Sequence, residues 1–595
     1  MAYSLETYCA SQEVADWSLL PASTQAFLQK LSMSSVHPFC QDPGRILAAT
    51  DIPPMGPLAM PWNDEDTWES LVTFIYMYLP PLFALVDSWF RLLSGVVAPV
   101  ALLYLVWNKQ CGTPIKDSRR VSKVVLIAAV CSLLIMTDSM YVYEYGAHYG
   151  VTMFVASIVL GFKACQRLGL RIIAALLSLL LLTAILLTWD GFMDTTDSGL
   201  TIEPGLYYNA DNALVNKTVS LWPERLRTYT REFGATPWMQ TGDARTGLPY
   251  FFNRRVPVTK FIRVHLPVED GEVLILGITF PEQGHNPAKP IYMVLHGVNG
   301  GTTEDYLRDL AWRRTRANST VIVMVSRGLM DAPLKSWNIF HGARWSDAHE
   351  TALAIRSAME PGQMLAGIGY SMGAIVLNNY VASSGTDCVL DSAFSISGAL
   401  ECRHEQNFTR PKHLWQPMIV SHLRSDQHIA KWGQRMKAKL SHSDWVGMLR
   451  ATNVVDLDQY IAVAYLQEWD NITHFYSKMG ALGDISIEDL NRLVPAEVPE
   501  AKIHNVSVPL LVLHAYDDPI STWRTNVANN GFMRPGHLIK TGNGNLMLLL
   551  TATGGHVGWP LGWFPFGRNW EFMSEAAASF VEAVGQAKTE LNLVD

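Results

Sequence analysis

The sequence predicts an α/β fold, with a mostly parallel central sheet and helices on both of its faces, preceded by an α-helical membrane region. Three observations predict it. After residue 260, short apolar runs such as EVLILGITF, PIYMVLHG and VPLLVLHAY alternate with helical stretches and Gly-containing turns. Continuous apolar strands that alternate with helices are typical of parallel sheets buried on both faces. The second observation is that residues 70–190 are unusually apolar. The third is a Ser-centred motif that follows an apolar run.

The membrane region contains four uncharged runs of 14 to 18 residues. A membrane span needs about 20 mainly apolar residues, so these runs approach or reach span length once flanking residues are included. A fifth stretch, Ser70–Val86, contains two consecutive prolines and is either a kinked span or a segment that lies in the interface. The sequence thus predicts four or five spans. The four runs are Leu92–Trp107, Val124–Thr137, Tyr145–Phe162 and Ile172–Trp189.

The positions of Lys and Arg predict the orientation of these spans. Residues 108–123 carry five basic side chains and residues 163–171 carry three, whereas residues 138–144 carry none. The two basic loops lie two spans apart and should both face the cytosol. The chain after residue 190 is therefore expected to be lumenal or extracellular, in a multi-pass protein of an endomembrane or the plasma membrane. Five Asn-x-Ser/Thr sequons fit that side, at Asn216, Asn318, Asn407, Asn471 and Asn505.

Composition excludes some classes of function. The chain has 54 acidic and 46 basic residues, with a net charge of -8, and shows no clustered basic face. Nucleic acid is therefore not an expected partner. None of the seven cysteines has the C-x2-C spacing of a zinc site, and Cys388 and Cys402 are either a disulfide or two free thiols. The oligomeric state is not predicted.

The chain divides into four parts on these patterns. Residues 1–69 give no indication of function, residues 70–190 form the membrane region, residues 191–259 connect it to the next unit, and residues 260–588 form the α/β domain.

A G-x-S-x-G motif spans Gly369–Gly373, with Ser371 at its centre. It follows the apolar run MLAGIG and precedes the helix-like AIVLNNYVASS. In the α/β-hydrolase fold this motif places a nucleophilic serine on a strained strand-to-helix turn, where glycines leave room for the backbone. The strand–turn–helix context makes Ser371 the predicted nucleophile.

A serine nucleophile needs a base and an acid that orients the base, in the order Ser, acid, His for this fold. The strand VPLLVLHAY ends at Asp517-Asp518, and we expect Asp518 to be the acid, with Asp517 as the alternative. Near the C-terminus, two glycines precede His556, the predicted base. Two solvated turn aspartates and a structural histidine are the alternative interpretations.

Backbone N–H groups should stabilise the oxyanion. One is expected from Met372, directly after the nucleophile, and the other from Val298, in the loop after the strand PIYMVL. His296 opens the same loop but precedes the serine, so we interpret it as structural.

Several blocks in order resemble the AB hydrolase-4 family, which includes mammalian abhydrolase-domain lipases, plant embryogenesis-associated proteins, yeast medium-chain ester synthase/esterases and bacterial hydrolases. They are HGVNGGTTEDYLRDL, SRGLMDAPLKSWNIFHGARWSDAHE, GIGYSMGAIVLNNYV, VPLLVLHAYDDPI and TGGHVGWPLG. The resemblance implies a Ser–Asp–His triad on Ser371, Asp518 and His556, ester or lipid substrates, and no metal or organic cofactor. It also implies structural roles for Arg327 and the stretch around His341 and Asp347.

Residues 402–505 lie between the serine and the acid, where this fold carries lids. Their Trp and Met residues suit either an apolar acyl pocket or the ordinary core of a lid. Together the patterns predict a membrane-bound enzyme that hydrolyses carboxylic esters, in particular acylglycerols or phospholipids, through an acyl-enzyme. Acyl transfer to an alcohol by the same triad, or a catalytically silent receptor or scaffold, are the alternatives.

Overall fold

The computed structural model describes residues 20–34, four residues between 81 and 85, and residues 203–593 with internal gaps such as 252–259 and 493–500. The four predicted spans and nearly all of Ser70–Val86 lie outside the described residues. Among the helices that are described, none has both the length and the apolar character needed to cross a bilayer.

One sheet dominates the described part of the chain and contains nine strands. These are β1 (Gly205–Tyr207), β2 (Ile262–Pro267), β3 (Val273–Thr279), β4 (Ile291–Leu295), β5 (Thr320–Val325), β6 (Leu365–Tyr370), β7 (Ser392–Ile396), β8 (Leu510–Ala515) and β9 (Leu546–Thr551). Their order across the sheet is β1-β9-β8-β7-β6-β4-β5-β3-β2. The six strands from β9 to β5 in this order are parallel, and antiparallel β1, β2 and β3 complete the two edges. The predicted α/β architecture is therefore confirmed as a mixed sheet with helices.

The α-helices of the described residues are α1 (Ala22–Ser34), α2 (Ala213–Leu221), α3 (Gly242–Phe251), α4 (Asp305–Arg316), α5 (Ser346–Ala358), α6 (Met372–Ser384), α7 (Gln416–His422), α8 (Gly433–Lys439), α9 (His442–Arg450), α10 (Val454–Asp458), α11 (Ile472–Met479), α12 (Ile487–Arg492), α13 (Arg524–Val527), α14 (Pro535–Leu538) and α15 (Glu571–Glu590). A π-helix, Gln459–Leu466, follows α10.

The central strands are buried on both faces, which explains their continuous apolar sequences. In β4, Met293 packs into one core and Val294 into the other, because successive side chains point to opposite faces of a sheet. One core also contains residues of α1, α5 and α6, and the other contains residues of α2, α4 and α15.

Helix α1 belongs to the N-terminal region to which the sequence assigns no function, yet it packs on the α/β unit. Phe27 stacks on His285 with ring centroids 4.4 Å apart, and Leu28 is fully buried. The His285 N–H donates to Thr24 Oγ1 at 3.0 Å, and Lys30 pairs with Glu360 at 2.6 Å.

The segment before residue 260 also contributes to this unit. Strand β1 pairs with β9, and α2 packs along α15, so the sheet extends back to Gly205. In the 402–505 insert, Trp432, Met436 and Met448 are buried in a third apolar cluster. They form an ordinary packed core. Cys388 and Cys402 are free thiols.

Candidate active site

Ser371 lies between the end of β6 and the start of α6, at the carboxyl edge of the sheet. The chain crosses here from β5 on one side of β4 to β6 on the other, which is where α/β sheets form their ligand crevices. Ser371 has φ 52° and ψ -120°, a conformation that costs of order 1–3 kcal/mol for a residue with a side chain. Its N–H donates to the Ile396 carbonyl at 2.9 Å, which helps to hold this turn.

Gly369 and Gly373 allow the turn because no side chain fits at either position. A Cβ on Gly369 would lie 2.6 Å from the Ala374 Cα, and one on Gly373 would lie 2.4 Å from the carbonyl oxygens of Leu295 and His296. Both contacts are with backbone, which cannot move aside cheaply. The two glycines of the motif therefore let α6 approach β4 and β6 closely behind the serine.

The structure brings together the three residues predicted as the triad. Ser371 Oγ lies 2.7 Å from His556 Nε2, and His556 Nδ1 lies 2.9 Å from Asp518 Oδ2 and 3.1 Å from Oδ1. His556 and Asp518 are 8% and 5% exposed. Because a carboxylate only accepts, Nδ1–H donates to Asp518, which leaves Nε2 with a lone pair directed at the serine hydroxyl. This arrangement can remove the hydroxyl proton.

Asp518 itself is fixed by the backbone that follows it. Its Oδ1 accepts hydrogen bonds from the N–H groups of Ile520 and Ser521, both at 2.9 Å. The second oxygen, Oδ2, therefore remains directed at His556. This is the turn geometry that short carboxylate side chains adopt with residues two and three positions on.

Asp517, the alternative acid, holds the loop that carries the histidine. Its Oδ1 accepts from the N–H groups of Gly554 and Gly555 at 2.8 Å, and its Oδ2 accepts from Thr553 Oγ1 at 2.7 Å. Arg245 donates to the same carboxylate at 3.2 Å. The two adjacent aspartates therefore have different partners, and Asp518 is the one that contacts His556.

Helix α3 contributes to the site although the sequence did not predict it. Thr246 Oγ1 accepts the His556 N–H at 2.8 Å, and Arg245, fully buried, reaches Asp517 from the same helix. The contacts join positions 310 and 272 residues apart. No local pattern around α3 indicates them, because a single Thr and a single Arg have no spacing signature.

A second histidine, His514, lies next to the acid but is committed to other partners. Its Nε2–H donates to the Ser521 carbonyl at 2.8 Å, and its Nδ1 accepts from Asn526 Nδ2 at 2.9 Å. Burial lowers the pKa of His514, so the ring stays neutral although it is 3.8 Å from Asp518 Oδ2. It packs behind Asp518 without adding a charge.

Met372 and Val298, the two predicted oxyanion donors, lie directly after the serine and in the loop after β4. Within the described residues, neither the Met372 N–H nor the Val298 N–H donates to a protein acceptor. The loop after β4 approaches the nucleophile, since a Cβ on Gly297 would lie 3.4 Å from Ser371 Cβ. The Gly297 N–H is already taken by Tyr306 Oη at 3.0 Å, which makes the next residue, Val298, the candidate in this loop.

His296 lies in that loop but is directed at the backbone. It bonds the Gly297 carbonyl through Nδ1 at 2.7 Å and accepts the Ser326 N–H at 3.2 Å. Burial lowers the pKa of His296 to about 4, so the ring is neutral. These contacts hold the start of the loop.

The Arg327 and Asp347 side chains form a buried ion pair, in which Arg327 Nε donates to Asp347 Oδ2 at 2.9 Å.

In the part of the chain that is described, no three His, Cys, Asp or Glu side chains converge as a metal site would require. A cavity of about 420 Å³ lies nearby, lined among others by His341, Trp469 and Lys502. None of the three triad positions lines this cavity.

Several known proteins have sequences similar to this chain. No protein-family model matches. The embryogenesis-associated protein EMB8 of Picea glauca is 24% identical over 360 residues, which cover 58% of this chain and 71% of that protein. A monoacylglycerol lipase of Saccharomyces cerevisiae is 22% identical, with 47% of this chain and 57% of the yeast protein covered. Phospholipase ABHD3 of Mus musculus is 23% identical, with 51% and 66% covered.

Among solved structures, a hyperthermophilic esterase from Pyrobaculum calidifontis matches with 15% identity and a TM-score of 0.34, over 58% of this chain and 90% of the esterase. The sequence relatives confirm the predicted resemblance of the C-terminal part of the chain to the AB hydrolase-4 family.

Proposed function

We propose that this chain is a membrane-bound hydrolase of carboxylic esters, acting on lipid esters such as acylglycerols or phospholipids. The observation that carries the proposal is the continuous contact from Ser371 Oγ through the imidazole of His556 to the carboxylate of Asp518. The names of the yeast and mouse relatives, a monoacylglycerol lipase and a phospholipase, support the class of reaction and of substrate.

The first half of the reaction forms an acyl-enzyme. His556 Nε2 takes the hydroxyl proton of Ser371 as Oγ attacks the ester carbonyl, and the N–H groups of Met372 and Val298 bind the resulting oxyanion. The N-terminus of α6 points at the same atoms and favours the developing negative charge. The imidazolium then gives its proton to the departing alcohol as the ester C–O bond breaks.

The second half releases the acid. Water enters, His556 takes one of its protons, and the hydroxide adds to the acyl carbonyl. When the second tetrahedral intermediate collapses, the proton returns to Ser371 Oγ and the carboxylic acid leaves. Asp518 remains ionised throughout and stabilises the imidazolium in both halves.

Lipid esters are favoured as substrates by the predicted membrane attachment. The apolar runs between residues 92 and 189 would anchor the enzyme in the bilayer where such esters reside. The basic loops between these runs favour a lumenal or extracellular position for the α/β unit. Four sequons fall on described residues, and their asparagines, Asn216, Asn318, Asn471 and Asn505, are all exposed.

The packing of helix α1 favours four membrane spans over five. It precedes the predicted spans in the chain, yet it packs on the α/β unit that follows them through Phe27 and Leu28. Two segments in contact must lie on the same side of the bilayer, which requires an even number of crossings between them. Ser70–Val86 would then be an interfacial segment.

Glycosylation tests this topology. In microsomes we expect N-glycans on the exposed sequons of the α/β unit and on a sequon placed in a short tag before Met1. Glycosidase treatment should shift the gel mobility of the protein glycosylated at either place. Asn→Gln changes at all five sequons, Asn407 included, are the control for the first signal. Glycans on the α/β unit with none on the N-terminal tag would require an odd number of spans, and no glycans at either end would contradict the orientation.

Hydrolysis of defined esters tests the proposed activity. The purified full chain should release acid from p-nitrophenyl esters and from acylglycerols or phospholipids in mixed micelles, and Ser371→Ala should not. Repeating the assay with an added alcohol separates hydrolysis from acyl transfer: free acid should remain the main product. A folded protein that cleaves no ester in this series would overturn the proposal in favour of a silent scaffold.

A further inference from the structure

An exposed aromatic loop follows the histidine of the candidate active site. It comprises residues 561–568, between His556 and α15, and is called the aromatic loop below. Within it, Trp563 is 67% exposed, Phe564 76% and Phe566 43%. Large apolar side chains at this exposure are costly in water, and a cluster of them marks an interaction surface.

The aromatic loop is shaped by its own backbone. Gly562 and Gly567, with φ 77° and 80°, allow the chain to turn at either end. Leu561 forms a β-bridge with Ala235 at the base, and the Arg568 N–H donates to the Pro565 carbonyl at 2.7 Å. Pro565 is buried while its aromatic neighbours are exposed. The rings are therefore presented outward by a folded turn.

The aromatic loop lies at the carboxyl edge of the sheet, with the candidate active site. Strand β9 ends at Thr551, and both His556 and the loop follow from that end. At the base of the loop, the half-exposed Tyr250 packs on Trp570 with ring centroids 5.8 Å apart. The aromatic loop therefore lies on the same edge of the sheet as Ser371 and His556.

The chain enters the α/β unit at the same edge. Strand β1 runs antiparallel to β9, with Gly205 opposite Leu550, so the residues before β1 come from the carboxyl edge. The Glu203 carbonyl accepts from Tyr516 Oη at 3.4 Å, directly after the end of β8. The strongest predicted span ends at Trp189, and the fourteen residues from there to Glu203 reach at most about 50 Å.

We propose that the aromatic loop enters the interface of the bilayer in which the chain is anchored, so that the carboxyl edge with Ser371 faces the lipid. The inference rests on the membrane attachment in the proposed function. Trp and Phe suit this partner because large aromatic rings accumulate at the interface of a bilayer. The fourteen residues from the predicted span, which reach at most about 50 Å, lead to this edge of the sheet. A lipid ester then reaches the serine without passing through water.

Cross-linking to lipid tests the position of the loop without using activity. A benzophenone amino acid replaces Phe564 in the full chain, reconstituted in phosphatidylcholine nanodiscs. The matched control places it at Leu593, which is 51% exposed and follows the far end of α15. We expect lipid adducts by mass spectrometry at position 564 and not at 593. Equal adducts at both positions, none at 564, or adducts of 564 with another protein chain would overturn the proposal.

The consequence for substrate access has its own test. In the triple variant Trp563→Ser, Phe564→Ser, Phe566→Ser, hydrolysis of a lipid ester in the nanodisc should fall about tenfold or more, whereas hydrolysis of a water-soluble p-nitrophenyl ester should not change. Leu593→Ser should leave both rates unchanged. Equal loss on both substrates would overturn the inference. If the wild type hydrolyses neither substrate, the result counts against the proposed function instead. In that case the lipid adducts still show whether the aromatic loop lies in the bilayer interface.

Discussion

Replacing Ser371 with Ala is expected to lower kcat for ester hydrolysis by about 10⁴-fold or more, because the attacking atom is removed. The same change should leave the fold intact. Alanine also has a Cβ, so the positive φ of 52° at this position costs alanine about the same conformational energy as it costs serine. Among the described residues, Ser371 Oγ hydrogen-bonds to His556, at 2.7 Å, and to no other side chain, so no further buried hydrogen bond is broken.

The measurement is the steady-state rate on a p-nitrophenyl ester, with thermal unfolding followed in parallel. A matched control is Ser397→Ala. Ser397 also has a positive φ, of 54°, and its Oγ accepts the Val557 N–H next to the histidine. Among the described residues, His556 hydrogen-bonds to Thr246, Asp518 and Ser371 and not to Ser397. We expect this control to retain most of its activity. A Ser371→Ala protein that hydrolyses the ester within tenfold of wild type would mean that another residue is the nucleophile.

The second large effect is expected for Asp518→Asn, which should lower kcat by about 10⁴-fold. The Ile520 and Ser521 N–H groups occupy Oδ1, so the new amide should keep its oxygen there and present its NH₂ to His556 Nδ1. An imidazole that must accept at Nδ1 carries its proton on Nε2, where it cannot take the serine proton. The substitution should therefore preserve the shape of the site but prevent His556 from acting as the base.

The adjacent Asp517→Asn is the matched comparison. Its carbonyl oxygen can still accept from Gly554 and Gly555, so the histidine loop keeps those hydrogen bonds. What changes is Oδ2, which accepts from Thr553 Oγ1 and pairs with buried Arg245. Breaking a buried ion pair typically costs about 3–5 kcal/mol of stability. We therefore expect a large loss in the free energy of unfolding from urea titration, with kcat reduced far less than in Asp518→Asn. The reverse pattern would assign the role of acid to Asp517.

Much of the site could be predicted because its three residues each end a strand pattern. Ser371 follows β6, Asp518 follows β8, and His556 follows β9. In a parallel sheet, carboxyl ends meet at one edge, so residues far apart in sequence converge there. The sequence favoured Asp518 as the acid but left the choice between Asp518 and Asp517 open. That choice depends on which side of a turn each carboxylate faces, and that is decided by the N–H groups of Ile520, Ser521, Gly554 and Gly555.

The parts of the fold that sequence patterns did not indicate come from short or mixed segments. Strand β1 has only three residues and pairs at the sheet edge, too short for a period to be read. Helix α3 contains Pro249 and supplies Arg245 and Thr246 through single long-range contacts. Helix α1 buries Phe27 and Leu28 against a unit that begins far along the chain. Such docking depends on tertiary packing, which local periodicity does not encode.

The activated serine is the central claim, and labelling with a fluorophosphonate probe tests it most directly. The probe reacts with a serine whose proton a neighbouring base removes, and it does not require the natural substrate. In membranes containing the full chain, we expect labelling of the wild type, with the adduct located by mass spectrometry on the peptide that contains Ser371. Ser371→Ala should not be labelled. A folded wild-type protein that is not labelled, or a label that persists in Ser371→Ala, would contradict the account.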